Sequence, residues 1–141
     1  MAYSAQSERL RKRLEAIPKA VRDAVQPALA QDGQELVGAM KALAEPSRDT
    51  GDLIDSITFT TAGNRTPPYS EPGGSRVVPE NAVLITAGNT KVRYAHLVEY
   101  GTSHSKPEPF FWPAYRLLKK KLSSRIKRAA SKAVRENWAK K

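Results

Sequence analysis

The chain has 141 residues, is 40% hydrophobic and carries a formal net charge of +10, which leaves room for one compact domain with a modest core. It has no cysteine, so a disulfide framework and thiolate metal sites are excluded, and it contains no apolar run of about 18 residues that would span a membrane. Met1-Ala2-Tyr3-Ser4 leads into charge rather than into the apolar core of a signal peptide, and a protein folded in the cytosol is expected.

Ser4 to Ile17 carries Leu10 and Leu14 at helical spacing, and Pro18 is expected to close that first helix. From Lys19 to Ala44 the apolar positions Val21, Val25, Leu29, Leu36, Met40 and Leu43 form a second helical stripe. Pro27 should bend or restart this helix, Gly33 and Gly38 weaken it slightly, and Pro46-Ser47 ends it. The period then changes. After Asp49-Thr50-Gly51, the stretch Leu53 to Thr60 begins as a turn and becomes an alternating strand with Ile57 and Phe59 on one side.

Residues 63–76 hold six Gly or Pro in fourteen positions, which predicts a long, poorly ordered loop of the kind that serves as a binding arm. Ala82 to Ala87 is a second strand whose continuous apolar run implies burial on both faces. Tyr94 to Tyr100 is a short helix, ended by Gly101 in a left-handed conformation. Pro113 then stands near the start of a last helix, along which Tyr115, Leu118, Leu122, Ile126, Ala130, Ala133 and Trp138 form an apolar stripe.

Charge is concentrated in that last helix. Residues 1–113 contain 13 Lys/Arg and 13 Asp/Glu, whereas residues 114–141 contain 11 Lys/Arg and one acid, Glu136. A basic tail on a neutral body points to an acidic counterpart, either nucleic acid or another subunit. Disorder is expected at the very end, near Ala139 to Lys141. The expected fold is a single α+β domain, a small and mainly antiparallel sheet packed against helices, with long N-terminal and C-terminal helices. Its parts are N-terminal helices over 1–45, the sheet with the long loop and the short helix over 46–104, and the basic helix over 105–141.

Catalytic signatures are missing from this pattern. The sequence has neither spacing of Gly-rich phosphate loop and no Gly-x-Ser-x-Gly elbow. His96 and His104 with Glu99 could sketch a metal site, but their spacing suits solvated or interface histidines better. Asp49, Asp52 and Asp55 are explained by a helical turn whose dipole favours them. Two segments stand out instead. In Asp49 to Ile57, Thr50 can cap the following turn, Gly51 permits a sharp bend, and Leu53 and Ile57 anchor its two sides. In Tyr94 to Ala114, the rings of Phe110, Phe111 and Trp112 are consecutive, so at least one is expected to face outward or toward a partner.

Taken in order, these segments resemble the head–tail joining family of long-tailed bacteriophages, whose members are also described as tail-completion proteins, tail terminators or minor tail components. The Thr-Gly-x-Leu-x-x-Ser-Ile element of that family is matched by Thr50, Gly51, Leu53, Ser56 and Ile57, and its valine-rich strand by Val83 to Thr86. A Tyr-Ala-x-x-x-Glu-x-Gly-Thr element is matched by Tyr94, Ala95, Glu99, Gly101 and Thr102. A Pro-Phe-x-x-Pro-Ala element is matched by Pro109, Phe110, Pro113 and Ala114. The 63–76 loop is longer than the usual connection, and the strongly basic last helix is not a general feature of the family.

The resemblance implies a non-enzymatic virion protein, assembled in the host cytoplasm and needing no cofactor, metal or membrane. It would form a ring with itself, expected to be a hexamer, in the neck at the head-proximal end of the tail. Its other partners would be the adjacent head-connector (stopper) ring and the tail-tube protein, with transient DNA contact possible in the channel. Tyr94, Glu99, Tyr100, Phe110 and Trp112 are expected to pack the short helix and loop against the sheet or a neighbouring subunit. The basic face of Lys119, Lys120, Lys121, Arg125, Lys127, Arg128, Lys132 and Arg135 is expected to meet an acidic neighbouring ring. The alternative is a small basic DNA-binding protein of the nucleoid type, which rests on the C-terminal charge alone.

Overall fold

The computed structural model describes residues 5–139, with side chains over 18–138 and at Arg9. In chain order it has α1 (Ala5–Ala44), a 3-10 turn (Glu45–Ser47), α2 (Asp52–Ser56), β1 (Thr58–Thr61), β2 (Val83–Thr86), α3 (Ala95–Tyr100) and α4 (Phe111–Ala139). The expected α+β architecture is present: two long helices and a small antiparallel sheet. Ser4, Lys140 and Lys141 lie outside the described residues, as do the side chains of Leu10, Leu14 and Ala139. The expectation of terminal disorder therefore falls mostly there, and α4 itself continues to Ala139.

The stop expected at Pro18 does not occur, and α1 runs through both Pro18 and Pro27 as one helix of 40 residues. An interior proline removes a backbone hydrogen bond and crowds the carbonyl four residues back, costing about 3 kcal/mol. The contact between α1 and α4, the most extensive in the molecule, offsets that cost. The helices are antiparallel: Pro18, Val21 and Val25 lie beside Ile126 and Ala130, whereas Glu35 reaches back to Lys121. Next to Pro27, Val25, Ala28 and Leu29 are all buried.

The inward stripes differ from the expected ones in detail. Leu43 is exposed and Ala44 takes the buried position at the end of α1. On α4, Tyr115 and Trp138 are exposed, and the inward face is made by Phe111, Ala114, Leu122 and Ala133. Gly33 has a packing role: a Cβ there would stand 2.7 Å from Cγ of Phe59, so its small size lets β1 lie close against the helix. Nothing comparable surrounds Gly38.

β1 and β2 pair antiparallel from Thr58 opposite Thr86 to Thr61 opposite Val83. Burial of the second strand on both faces is not found, since Val83, Leu84 and Ile85 are only half-buried in a sheet of two strands. The core gathers Leu36 and Met40 of α1, Ile54 of α2 and Ile57 just after it, Val92 of the β2–α3 loop, and Phe110.

The segment between the strands is also not an open, poorly ordered arm. It folds back on itself, with Arg65 bridging to Val77 and Glu71 bridging to Ala87. Thr66 sits at its centre, almost fully buried; its hydroxyl accepts the Arg76 N–H at 2.8 Å and its own N–H donates to the Arg76 carbonyl at 2.8 Å. Gly and Pro here serve tight turns within a closed structure, and the Glu71–Pro72 peptide is cis. Arg93 stacks 3.7 Å over the Tyr69 ring, which is otherwise exposed. No helix among the described residues is long and apolar enough to cross a membrane.

Candidate assembly surfaces

The two segments singled out in the sequence lie beside the core and brace it from two directions. At the first, Gly51 adopts φ 91° and ψ −4°, which a side chain would strain, and the Thr50 hydroxyl accepts the Asp52 N–H at 3.3 Å. Leu53 and Ile57 are buried. Ser56 donates to the Leu53 carbonyl at 2.6 Å and accepts the Gly88 N–H at 2.9 Å. A small hydroxyl thus ties the end of α2 to the loop that follows β2.

The second segment is organised by Glu99, whose side chain turns inward from α3 to the start of α4. Its carboxylate accepts the backbone N–H groups of Phe110 at 2.9 Å, Phe111 at 2.8 Å and Trp112 at 3.2 Å. These are donors that a helix start leaves without partners, at the end where its dipole is positive, so a carboxylate is well matched to them. Pro113 is tolerated in this first turn because its missing N–H has no intrahelical partner to lose. Gly101 ends α3 with φ 77° and ψ 176°. That is a glycine conformation, but not the left-handed helical one expected. A Cβ there would come within 2.7 Å of the Pro107 nitrogen. The Thr102 hydroxyl then accepts the His104 and Ser105 N–H groups at 3.1 and 3.0 Å, closing the turn.

The aromatic residues form an edge-to-face series. Phe110 and Phe111 are buried, with ring centroids 6.4 Å apart; Trp112 follows at 5.0 Å from Phe111, and Tyr115 at 6.2 Å from Trp112. Such arrangements favour ring quadrupoles and fix orientation. Trp112 is half-buried and donates its indole N–H to the Tyr100 hydroxyl at 2.7 Å, so this pair rims the core. Tyr100 is itself largely exposed. Between this rim, Glu71 and His96 lies a mainly apolar cleft of about 120 Å³.

His96 and Glu99 serve different partners. The His96 backbone N–H and Nδ1 both contact Glu71 Oε2, at 2.9 and 3.0 Å, whereas Glu99 is taken up by the start of α4. His104 is exposed in the turn after Thr102. Among the described residues no group of His, Asp or Glu is arranged to hold a metal ion. Tyr94 stands at the α3 start, partly exposed; partial burial, then the charges of Asp52 and Asp49, push its hydroxyl pKa up.

The eight residues assigned to one basic face separate into two groups. Arg125 is not on a solvated face: it is largely buried and donates to Asp32 Oδ1 at 2.6 Å and Glu35 Oε2 at 2.7 Å. Lys121 joins it, with Nζ 2.6 Å from Glu35. The helical periods of both α1 and α4 place these four charges at the seam between the helices. Burial pushes the Asp32 carboxyl up despite Arg125, while hydrogen bonds from Lys121 and Arg125 hold Glu35 below its usual range. Among the described residues Asp32 Oδ2 has no hydrogen-bond partner, so the pair is imperfectly compensated. Lys119, Lys120, Lys127, Arg128, Lys132 and Arg135 remain exposed, and of these only Lys132 nears an acid among the described residues, 3.9 Å from Glu136.

The seam network could have been found from sequence. Asp32 lies three residues after Leu29 and four before Leu36, within the apolar stripe of α1, and Arg125 interrupts the stripe of α4 in the same way. The Ser56–Gly88 and His96–Glu71 contacts join distant segments, and no local pattern announces them.

These features describe a class of protein: a small α+β unit whose polar side chains brace helices and whose remaining cations point outward. A family model, HK97-gp10-like, described as "Bacteriophage HK97-gp10, putative tail-component", matches residues 8–101. The chain belongs to this family of bacteriophage tail components. Neither a curated protein nor a solved structure matches it. The family match includes Glu99 and Gly101 but stops before the start of α4 that Glu99 holds.

Proposed function

We propose that this protein is a non-catalytic virion subunit that forms a ring, hexameric by preference, in the neck at the head-proximal end of the tail. There it joins or terminates the tail tube and connects it to the head. The observation that carries this reading is the family match over residues 8–101. The Tyr94–Thr102 and Pro109–Ala114 elements add the head–tail joining resemblance. In this reading Glu99 serves the subunit's own fold, coupling the two elements, and recognition of partners falls to the outward faces. The partners are further copies of the chain, the head-connector (stopper) ring and the tail-tube protein; contact with DNA is transient, during its passage through the channel.

Deletion of the gene from the phage or prophage that encodes it, followed by negative-stain imaging of lysates, tests the proposal. Filled heads lying beside separate tails, or tails of uncontrolled length, are expected. Complete, infectious particles would overturn it. The DNA-binding alternative draws on the exposed cations of α4. It requires binding of random duplex DNA that persists at physiological salt and weakens steeply as salt is raised.

A further inference from the structure

We infer that the outer face of α4 in one copy docks into the groove between α2 and α3 of the next copy. The inference rests on the ring reading and specifies which surfaces make the ring. The groove consists of two adjoining hollows of about 450 and 390 Å³ that share Ser47, Tyr94 and Val98. Leu53, Ile54 and Val98 supply an apolar floor, and Tyr94 and Leu97 are 38% and 43% exposed among the described residues. Along the rim, Asp49 and Asp52 are exposed, and neither has an ion-pair partner among the described residues. The nearby Arg48 guanidinium is engaged by Glu45 at 2.7 Å. At the far end Lys106 and Glu108 oppose one another in sign, so the acidic character of the groove sits at its Asp49–Asp52 end.

The same chain carries the complement. Leu117 is 77% exposed, the most exposed large apolar side chain among the described residues. Arg116 adjoins it, Lys120 lies one turn on, and Lys127 and Arg128 continue the exposed face; none of the four has a carboxylate partner among the described residues. An apolar knob among cations matches an apolar floor rimmed by carboxylates. A nucleic-acid phosphate would use the cations and leave both Leu117 and the acidic groove without a role. A contact between two different surfaces of identical chains is heterologous, so copies add head to tail and every charge is satisfied only when a ring closes. Because the pairs are exposed, association should weaken as salt screens them.

Charge exchange in the full-length protein tests this. One variant carries Arg116→Glu and Lys120→Glu, another Asp49→Lys and Asp52→Lys, and sedimentation velocity reads self-association at low and moderate salt. Wild type is expected to associate with rising concentration, and each variant to associate about tenfold more weakly. An equimolar mixture of the two should recover association, since each variant's altered surface then meets its complement on the other. Leu117→Ser, at a site too exposed to affect folding, should weaken association on its own. Wild-type association that neither variant alters would overturn this interface while leaving the ring standing. So would a mixture no stronger than its parts. A wild type that stays monomeric at every concentration, or cations that bind duplex DNA instead of protein, would also overturn it. Failure of the ring reading itself would appear separately, as intact particles after gene deletion.

Discussion

The inner and outer faces of α4 use charge in opposite ways. On the inner face Arg125 is largely buried and gripped by two carboxylates of α1, and at the helix start the Glu99 carboxylate takes three backbone N–H groups. Every one of those contacts is made within the chain. On the outer face Arg116, Lys120, Lys127 and Arg128 are exposed and have no acidic partner among the described residues. A count of basic residues treats the two faces alike. The structure separates charges that hold the subunit together from charges left for something else, and each group predicts a different kind of failure.

The largest effect is expected at the seam. Arg125→Met leaves Asp32 buried without its counter-charge and should cost about 3–5 kcal/mol, read as a lower urea midpoint with an unchanged slope. Replacing Asp32 and Arg125 together by apolar residues should cost much less than Arg125→Met alone. A single-substitution effect below about 1 kcal/mol would mean the seam is wet and the inner face no different from the outer.

Next comes the helix start. Glu99→Ala removes the acceptor for three N–H groups and should destabilise by about 3 kcal/mol in thermal or urea unfolding. Glu99→Gln, which keeps one carbonyl oxygen, should recover part of this. If Gln and Ala are equally harmful, the charge rather than the hydrogen-bond geometry is what α4 needs.

A smaller effect should appear with pH. The Glu35 carboxyl is held below its usual value of 4.5 by Lys121 and Arg125. A lowered folded-state pKa means stability that is present above the unfolded value and lost as pH falls through the folded one. Asp32 shifts the other way, because burial favours its neutral form, so its protonation on acidification offsets part of that loss. Unfolding midpoints measured from pH 6 downward should therefore fall below about pH 4.5, and Glu35→Gln should make the fall shallower. An identical slope in the variant would remove Glu35 from the account.

The smallest effect on stability belongs to the outer face. Lys120→Ala and Lys127→Ala should each change unfolding free energy by less than about 0.5 kcal/mol. If either costs as much as Arg125→Met, the outer face is part of the fold and the contrast drawn here fails.

Periodicity made the long helices and the two strands legible, because apolar spacing records which face meets a core. It failed where tertiary contact outweighs local preference. Pro18 reads as a stop, yet α1 continues through it as one helix whose next turns run along α4. The Gly- and Pro-rich segment after β1 reads as an arm, yet Thr66 and Ser70 are buried within its folded turns. At the site, the spacing of Tyr94, Glu99 and Gly101 marked a short helix and its end. What Glu99 does there depends on a helix start eleven residues further along, which no local window contains. Arg125 reads as one more cation of the basic face, because composition does not distinguish the sides of a helix, although its place in the apolar stripe does.

The proposed place of this family member in the neck ring is tested by locating it in the particle. Virions or phage-like particles carrying an epitope-tagged copy, labelled with gold-conjugated antibody and imaged, should show label at the head-proximal end of the tail. Label along the tube or at the distal tip, or particles that lack the protein altogether, would contradict the account.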